Sequence, residues 1–383
     1  MNHAMDRNKL VKAIDTILPA TAKVDVIEES TMFSFRSGTI NAYDGGFRAA
    51  SAKIDTDIEG MVRAKDFVKL IKSSKGHFVK MDIVGDRFNF ESDDGMGGFL
   101  CGYPNTEYHK SINLWESNIQ WQQCPEELTE AIWLVSFNFS WGLIGIIVSG
   151  EHVAAMENDR IRLRRYRLPS PAPFDMSLHA TAPNIFGKLK GERLLGAAKF
   201  KLSHIHEGDS YEQDGVIFDY GDLRVWCSEA IYWGKKISCK ELFPKITKAL
   251  EEGRIENLSV LPNNVKKILD EIRVIAKLDR NVAVDCDEEM TVRFDKDRIY
   301  IECETEGGAI RENLPIKTFR PLTLMTLTTI PAYFAQAAQQ GGLMGVKIDE
   351  NNDPYALYFK DDKLEHLVGA SVRDNNNQEK EEK

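Results

Sequence analysis

The sequence predicts an α+β protein built of three similar tandem domains, each ordered helix, strands, helix, strands. Two recurrences carry this prediction. An amphipathic helix starts at Lys9–Leu18 (KLVKAIDTIL), Glu127–Phe137 (ELTEAIWLVSF) and Asn264–Ala276 (NVKKILDEIRVIA), and the leading residues Leu10, Leu128 and Val265 lie 118 and 137 residues apart. A second helix follows each, at Asp66–Lys75, Pro183–Leu189 and Pro331–Gln340, with Phe67, Phe186 and Phe334 in equivalent positions at offsets of 119 and 148. Solenoid units run to roughly 20–50 residues, so this repetition describes whole domains. Similar tandem domains are most simply arranged around an axis. The expected boundaries are 1–118, 119–253 and 254–372, with a tail at 373–383.

In the first repeat, Leu10, Ile14, Ile17 and Leu18 form one helical face. Strand patterns follow at Thr31–Phe35, Thr39–Tyr43 and Gly46–Ala52, and Asp44-Gly45-Gly46 reads as a hairpin turn because glycine accepts positive φ. After the Phe67 helix, Phe78–Val84 and Arg87–Glu91 make a second hairpin and Gly98–Cys101 a last strand. The second repeat starts its helix at Pro125 and continues with strands at Leu143–Val148, His152–Met156 and Ile161–Leu168, the last two joined by a turn at Glu157–Arg160. Its second helix starts at Pro183; Val216–Tyr220 and Leu223–Cys227 pair across Gly221-Asp222, and Ala230–Gly234 closes the repeat. The third starts at Pro262, pairs Met290–Phe294 with Arg298–Glu302, places its second helix at Pro331, and finishes with Gly345–Asp349, Tyr355–Lys360 and Glu365–Ala370. Proline suits a first helical turn, where its missing N–H would be unpaired anyway. Linkers are expected at His109–Gln123 and roughly Leu250–Leu261. The tail Asp374–Lys383 holds no apolar residue and is expected to be disordered.

At 383 residues with 43% hydrophobic content, each domain can bury its own core. There is no run of about 18 apolar residues that would span a membrane, and the N-terminus lacks a signal pattern, so a cytoplasmic protein is expected. The six cysteines, Cys101, Cys124, Cys227, Cys239, Cys286 and Cys303, form no C-x-x-C pair and are read as reduced and mostly buried. A net charge of −10 argues against a protein that coats nucleic acid indiscriminately, but not against one that confines positive charge to one surface.

Such a surface is legible on the helices. Lys65, Lys69 and Lys72 lie at i, i+4, i+7, with Lys75 extending the row and Phe67, Leu70 and Ile71 pointing away. The first helix adds Lys9 and Lys12, with Arg7 just before it. The second repeat offers Lys188, Lys190 and Arg193, the third Lys266, Lys267, Arg273 and Lys277. Any one such face reads equally as a solvated helix. Their recurrence in an acidic chain points to phosphate contact. The pattern has exceptions: Glu126, Glu127 and Glu130 stand by the second repeat's first helix, and Gln336, Gln339 and Gln340 on the last.

Catalytic signatures are weak. His204-Ile205-His206 with Glu207 and Asp209 could hold a metal, but spacing offers no further ligands, so no metal is expected. Paired acids such as Asp82 and Asp86, Asp93 and Asp94, or Asp285 and Asp287 read as solvated turns. Nucleotide-binding loops and nucleophile elbows are missing. The chain is therefore expected not to be an enzyme and to need no cofactor. The segment Asn158-Asp159-Arg160-Ile161-Arg162-Leu163 reads as a turn feeding a strand with arginine at 160, 162 and 164; an edge strand protected by charge is the alternative.

With these residues in place, the chain resembles the bacterial DNA sliding clamp, the beta subunit of DNA polymerase III. The threefold repeat covers about residues 5–372. Val153–Leu163 is similar to the family's second-domain stretch Thr-Asp-Gly-His-Arg-Leu, keeping Asp159, Arg162 and Leu163, and Leu367-Val368-Gly369-Ala370 stands where clamps carry a Val-Val-Met-Pro-like ending. The divergence suggests a phage, prophage or plasmid version. The resemblance implies a DNA-clamp fold and a head-to-tail homodimeric ring that encircles duplex DNA without reading its sequence. It implies partners as well: a polymerase and a clamp loader, bound through short peptides in a pocket that would include Asn158, Asp159, Arg162, Leu163, Leu367 and Gly369. Arg160, Ile161, Gly369 and Ala370 depart from the family pattern and imply an altered peptide preference. The ring interface would set Phe99 and Leu100 against Val274 and Ile275. A clamp-like scaffold that binds proteins without encircling DNA is the alternative, and a metal-dependent enzyme using His204 and His206 a distant third.

Overall fold

The first helix, Arg7–Ile17, begins where Asp6 accepts hydrogen bonds from the backbone N–H of Asn8 and Lys9 (2.8 and 3.0 Å), an N-cap that satisfies two otherwise orphaned donors. It buries Leu10, Ile14 and Ile17 completely, while Leu18 leaves the helix in a 3₁₀ turn and is half-buried. The second helix, Ala64–Ser73, buries Phe67, Val68 and Ile71. Phe67 meets the rings of Phe33, Phe35 and Phe88 edge-on at 6.1, 5.5 and 5.2 Å, the arrangement that ring quadrupoles favour. These details come from a computed structural model, which describes residues 4–23, 27–136, 143–157, 162–206, 208–232, 234–261, 265, 267–268, 270–271, 289–305, 308–318, 322–339 and 342–372.

Two compact units emerge, one of residues 1–134, 148–150 and 169–237, the other of 135–147, 151–168 and 238–383. In the first, eleven antiparallel strands run in the spatial order Met5–Asp6, Phe78–Val84, Arg87–Ser92, Gly97–Tyr103, Gly60–Arg63, Met32–Arg36, Thr39–Tyr43, Arg48–Lys53, Leu223–Ser228, Asp209–Asp219 and Gly196–His206. The seam joins strands far apart in sequence: Ala49 faces Trp226 and Ala50 faces Val225 across Arg48–Lys53 and Leu223–Ser228. Ala49 shares a core with the indole, which is fully buried, and a Cβ on Gly215 would lie 2.5 Å from its Nε1. Ser37 and Gly38 both adopt positive φ (50° and 72°) between Met32–Arg36 and Thr39–Tyr43, the turn that matches strand twist in a two-residue hairpin. At the next hairpin Asp44 Oδ1 accepts from the N–H of Gly46, Phe47 and Arg48, so the turn read from Asp44-Gly45-Gly46 forms as expected.

In the second unit, a sheet runs in the order His152–Glu157, Arg162–Arg167, Leu364–Gly369, Pro354–Lys360, Leu343–Ile348, Arg254–Val260 and Lys317–Thr318. A five-stranded sheet has the order Gly308–Pro315, Arg298–Thr305, Met290–Lys296, Leu322–Thr329 and Ser371–Val372. Phe334 of the helix Pro331–Ala338 is fully buried and meets Phe359 at 5.8 Å in a core with Val292, Phe294, Ile301, Val346 and Leu357.

Several expectations change. The second repeat's first helix starts at Leu128, because Pro125 instead accepts the Leu128 N–H in a turn. The Pro183 helix ends at Phe186: Gly187 follows, packed so closely on Trp133 that a Cβ there would lie 2.7 Å from its Nε1. Lys188 and Lys190 therefore sit on turns. The expected linker at 250–261 is mostly the strand Arg254–Val260, paired with Leu343–Ile348. The helix Cys239–Glu251 was hidden by Pro244 in its interior, although Leu242, Ile246 and Leu250 bury one face at i, i+4, i+8. Arg162–Arg167 is not a charge-protected edge, since it pairs with His152–Glu157 on one side and Leu364–Gly369 on the other. Pro262 lies outside the described residues.

The first unit holds two histidines that resist protonation. Burial pushes His109 down to about 4, against a backbone hydrogen bond to Glu29; burial does the same to His179, which stacks on Phe47 at 3.8 Å. An unfolded histidine takes up a proton near pH 6.5, whereas these remain neutral to about 4. Their contribution to stability is complete above pH 6.5 and falls progressively towards pH 4, by about 3 kcal/mol for His109. Urea unfolding at pH 7 and pH 5 should show the loss; equal midpoints would mean that the rings are not sequestered.

Candidate functional site

A cavity of about 740 Å³ opens in the second unit. Its lining comes from four pieces of chain: the facing strands His152–Glu157 and Arg162–Arg167, the end of the helix Cys239–Glu251 with the turn after it, the turn at 349–352 with Tyr355, and the strand Leu364–Gly369. Leu163 and Leu367 are cross-strand partners, buried to 1% and 0% exposure, and together with Met156 and Ala249 they make an apolar floor. Gly253 closes the turn with φ +72°, and a Cβ there would lie 2.3 Å from the carbonyl oxygen of Ile348, so the close approach depends on glycine.

One wall is ionic. Arg162, 1% exposed, pairs with Glu157, 5% exposed, at 2.9 Å. Its guanidinium also lies 4.0 Å above the ring of Tyr333, on the helix Pro331–Ala338. Two residues along the strand, Arg164 donates to Nδ1 of its cross-strand partner His366 (3.1 Å) and to the Ser136 carbonyl (2.8 Å). Burial, then the neighbouring Arg162 charge, lowers the Arg164 guanidinium to about 9; burial and the same arginines hold His366 well below the ordinary imidazole range. Arg162 and Arg164, read from sequence as part of a basic strand, are thus interior groups, desolvated and held by specific acceptors. Arg165 alternates to the other side and pairs with Glu365 at 2.7 Å.

Of the residues expected in a peptide pocket, Arg162, Leu163 and Leu367 come together in this cavity. Gly369 lies further along the same strand, opposite Ala356, its carbonyl taken by Thr329 Oγ1 at 2.9 Å. Asn158 and Asp159, with Arg160 and Ile161, lie outside the described residues. Sequence reasoning missed Ala249, Glu252, Gly253, Arg254 and the 349–352 turn. The amphipathic face of the helix Cys239–Glu251 was the available signal.

Lys65, Lys69 and Lys72 are exposed, on the side of the helix Ala64–Ser73 away from Phe67 and Ile71, and Lys75, expected within the helix, is exposed beyond its end at Ser73. Lys72 pairs with Asp15 at 2.7 Å. Arg7 donates to the carbonyls of Ile71 (3.2 Å) and Lys72 (3.4 Å), tying the start of the first helix to the end of the second. Lys9 and Lys12 are exposed, Lys12 pairing with Glu192 at 2.6 Å. Lys188 and Lys190 are exposed, and Lys267 pairs with Glu271 at 3.6 Å. Lys266, Arg273 and Lys277 lie outside the described residues.

Phe99 stands on the strand Gly97–Tyr103, 60% exposed, with the Arg87 guanidinium 4.8 Å over its ring; Leu100 beside it is half-buried. Among the described residues, Gly97–Cys101 pairs on one side only, with Arg87–Glu91. Val274 and Ile275 lie outside the described residues. His204 stacks on Tyr211 at 5.3 Å and lies 3.4 Å from the Tyr43 hydroxyl. Among the described residues no three His, Cys, Asp or Glu side chains gather as a metal site would require. Cys124, Cys227, Cys239 and Cys303 are buried, Cys101 is exposed, and Cys286 lies outside the described residues. No described helix is long and apolar enough to cross a membrane.

No family model matches this sequence, and no curated protein sequence is similar to it. Solved structures do match over nearly the whole chain. The DNA polymerase III beta subunit of Thermotoga maritima superposes with a TM-score of 0.68 at 12% identity, covering 97% of this chain and 99% of that one. The sliding clamp of Bacillus subtilis gives 0.63 at 15% identity, covering 97% and 98%. The Helicobacter pylori beta clamp, solved with a DNA ligase peptide, gives 0.62 at 13% identity, covering 97% and 100%. At such identities the likeness is one of architecture: this chain has the α+β fold of the bacterial DNA polymerase III beta sliding clamps, in a strongly diverged sequence.

Proposed function

We propose that the protein is a non-enzymatic processivity factor, a sliding clamp that encircles duplex DNA as a homodimeric ring and tethers a polymerase to its template. The observation that carries this reading is the exposed row Lys65, Lys69 and Lys72 on one helix face, with exposed Lys75 just past its end, in a chain whose net charge is −10. Lysines confined to one face attract phosphate without reading bases, which permits sliding. Arg7, Lys9, Lys12, Lys188, Lys190, Lys266, Lys267 and Arg273 extend this DNA-facing surface.

In this reading the chain comprises three clamp domains at 1–118, 119–253 and 254–372. The sheet seams support it. Arg48–Lys53 pairs with Leu223–Ser228, and Arg162–Arg167 with Leu364–Gly369, so each compact unit takes parts from two neighbouring repeats. Phe99, Leu100 and the one-sided strand Gly97–Cys101 supply one half of the ring interface. The other half combines Val274 and Ile275 with the strand Gly308–Pro315, which ends its sheet among the described residues. Unpaired strand edges are templates for pairing with a second copy. The cavity at Arg162, Leu163 and Leu367 is the docking site for short peptides of a polymerase and a clamp loader. The Helicobacter pylori clamp was solved with a ligase peptide, which supports peptide docking as a use of this fold.

Negative-stain electron microscopy of the purified protein tests the ring. Closed particles of two chains around a central hole are expected. Solid or open particles of single-chain size would remove the tethering function and favour a scaffold that binds proteins only.

A further inference from the structure

We infer that the cavity selects peptides carrying lysine or arginine beside their apolar anchor; this rests on reading the cavity as the peptide-docking site. The floor of Met156, Leu163, Leu367 and Ala249 offers only apolar contact, which fixes an anchor but discriminates poorly between sequences. Discrimination must come from the charged groups around it, and these are unbalanced. Glu157, Glu252, Asp349 and Glu350 line the cavity against Arg162 and Arg254.

Both guanidinium groups are already occupied. Arg162 is held by Glu157 at 2.9 Å and by the Tyr333 ring, with 1% exposure. Arg254 pairs with Glu256 at 3.1 Å. A peptide carboxylate would therefore find its cations engaged and would face the remaining carboxylates. Asp349 is fixed in place, because Oδ1 accepts the N–H of Asn351 and of Asp353, each at 2.8 Å. Glu252 and Glu350 are exposed and reach solvent at the mouth, and Lys248 pairs with the Glu252 carboxylate only at 3.8 Å, from a side chain 74% exposed. The Tyr355 phenol in the lining is raised by burial first and then by Glu252 and Asp349, so the negative field reaches into the cavity. Lys347 nearby is buried and spends its ammonium on the Glu252 carbonyl at 2.9 Å. The occupant that fits is a short extended segment with leucine or phenylalanine on the floor and a basic residue within one or two positions, reaching Glu252, Asp349 and Glu350. Rim charges in water act weakly one by one, so preference is built by repelling acidic peptides as much as by attracting basic ones.

The test uses fluorescein-labelled octapeptides holding two leucines and a phenylalanine, with flanking positions set to Lys, Arg, Gln or Glu, titrated by fluorescence polarisation against the full chain. Protection of Met156 from hydrogen peroxide locates the bound peptide. Lysine and arginine peptides should bind roughly tenfold more tightly than glutamate peptides at low salt, and the difference should shrink at 0.5 M salt. In the double variant Glu252→Lys, Glu350→Lys the order should reverse. Peptides that protect Met156 without charge preference, or with preference for glutamate, would overturn the inference and leave the docking site standing. If no peptide of any composition binds, the docking-site reading fails and the inference falls with it.

Discussion

Reversal of Lys65, Lys69 and Lys72 to glutamate is expected to weaken binding to duplex DNA severely while leaving the fold intact. All three side chains are exposed, opposite the buried face of Phe67, Val68 and Ile71, so the exchange leaves the core untouched. Only a local cost is foreseen: the Lys72–Asp15 ion pair becomes a like-charge contact, and exposed pairs of this kind contribute about 0–1 kcal/mol. The effect on DNA should be much larger. Each lysine that neutralises a phosphate releases a counterion and adds about 0.9 to the slope of log affinity against log salt, so three losses should lower that slope by about 3. Titration of a labelled duplex from 50 to 200 mM salt checks this, with circular dichroism as the folding control. An unchanged slope would place the DNA-facing surface elsewhere.

Truncation of Arg162 to alanine should cost the second unit about 3–5 kcal/mol, because Glu157, 5% exposed, would be left as a buried charge without its partner at 2.9 Å. The stacking of the guanidinium on Tyr333 is lost as well. Removing both charges together is a different experiment. Glu157→Gln with Arg162→Met keeps much of the volume and leaves no unpaired charge, so the double variant should recover most of the loss. Urea unfolding of both single variants and the double variant measures the coupling. If Arg162→Ala alone is nearly neutral, water reaches this pair and the wall of the cavity is softer than its burial implies.

The strand periods, the Asp44 turn and the opening helices were legible because they are local: side chains at i, i+4 and i+7, or alternating, declare a face wherever that face is later buried. Proline was less dependable. Pro183 and Pro331 do open helices, whereas Pro125 belongs to a preceding turn and Pro244 sits inside a helix. The cavity was half-legible. Arg162, Leu163 and Leu367 could be placed by their likeness to a known sequence pattern, but Glu252, Arg254 and the 349–352 turn reach it only by folding.

By itself the sequence determined the α+β class and the basic helix face, since each depends on spacings of a few residues. Tertiary structure decided the pairing of Arg48–Lys53 with Leu223–Ser228 and of Arg162–Arg167 with Leu364–Gly369, and so which parts of the repeats make a compact unit. It also decided that Arg162 and Arg164 are interior groups. A run of arginines reads as surface because desolvating a charge is costly; besides the nearby Glu157, partners distant in sequence, such as His366, the Gln336 carbonyl and the Tyr333 ring, offset that cost.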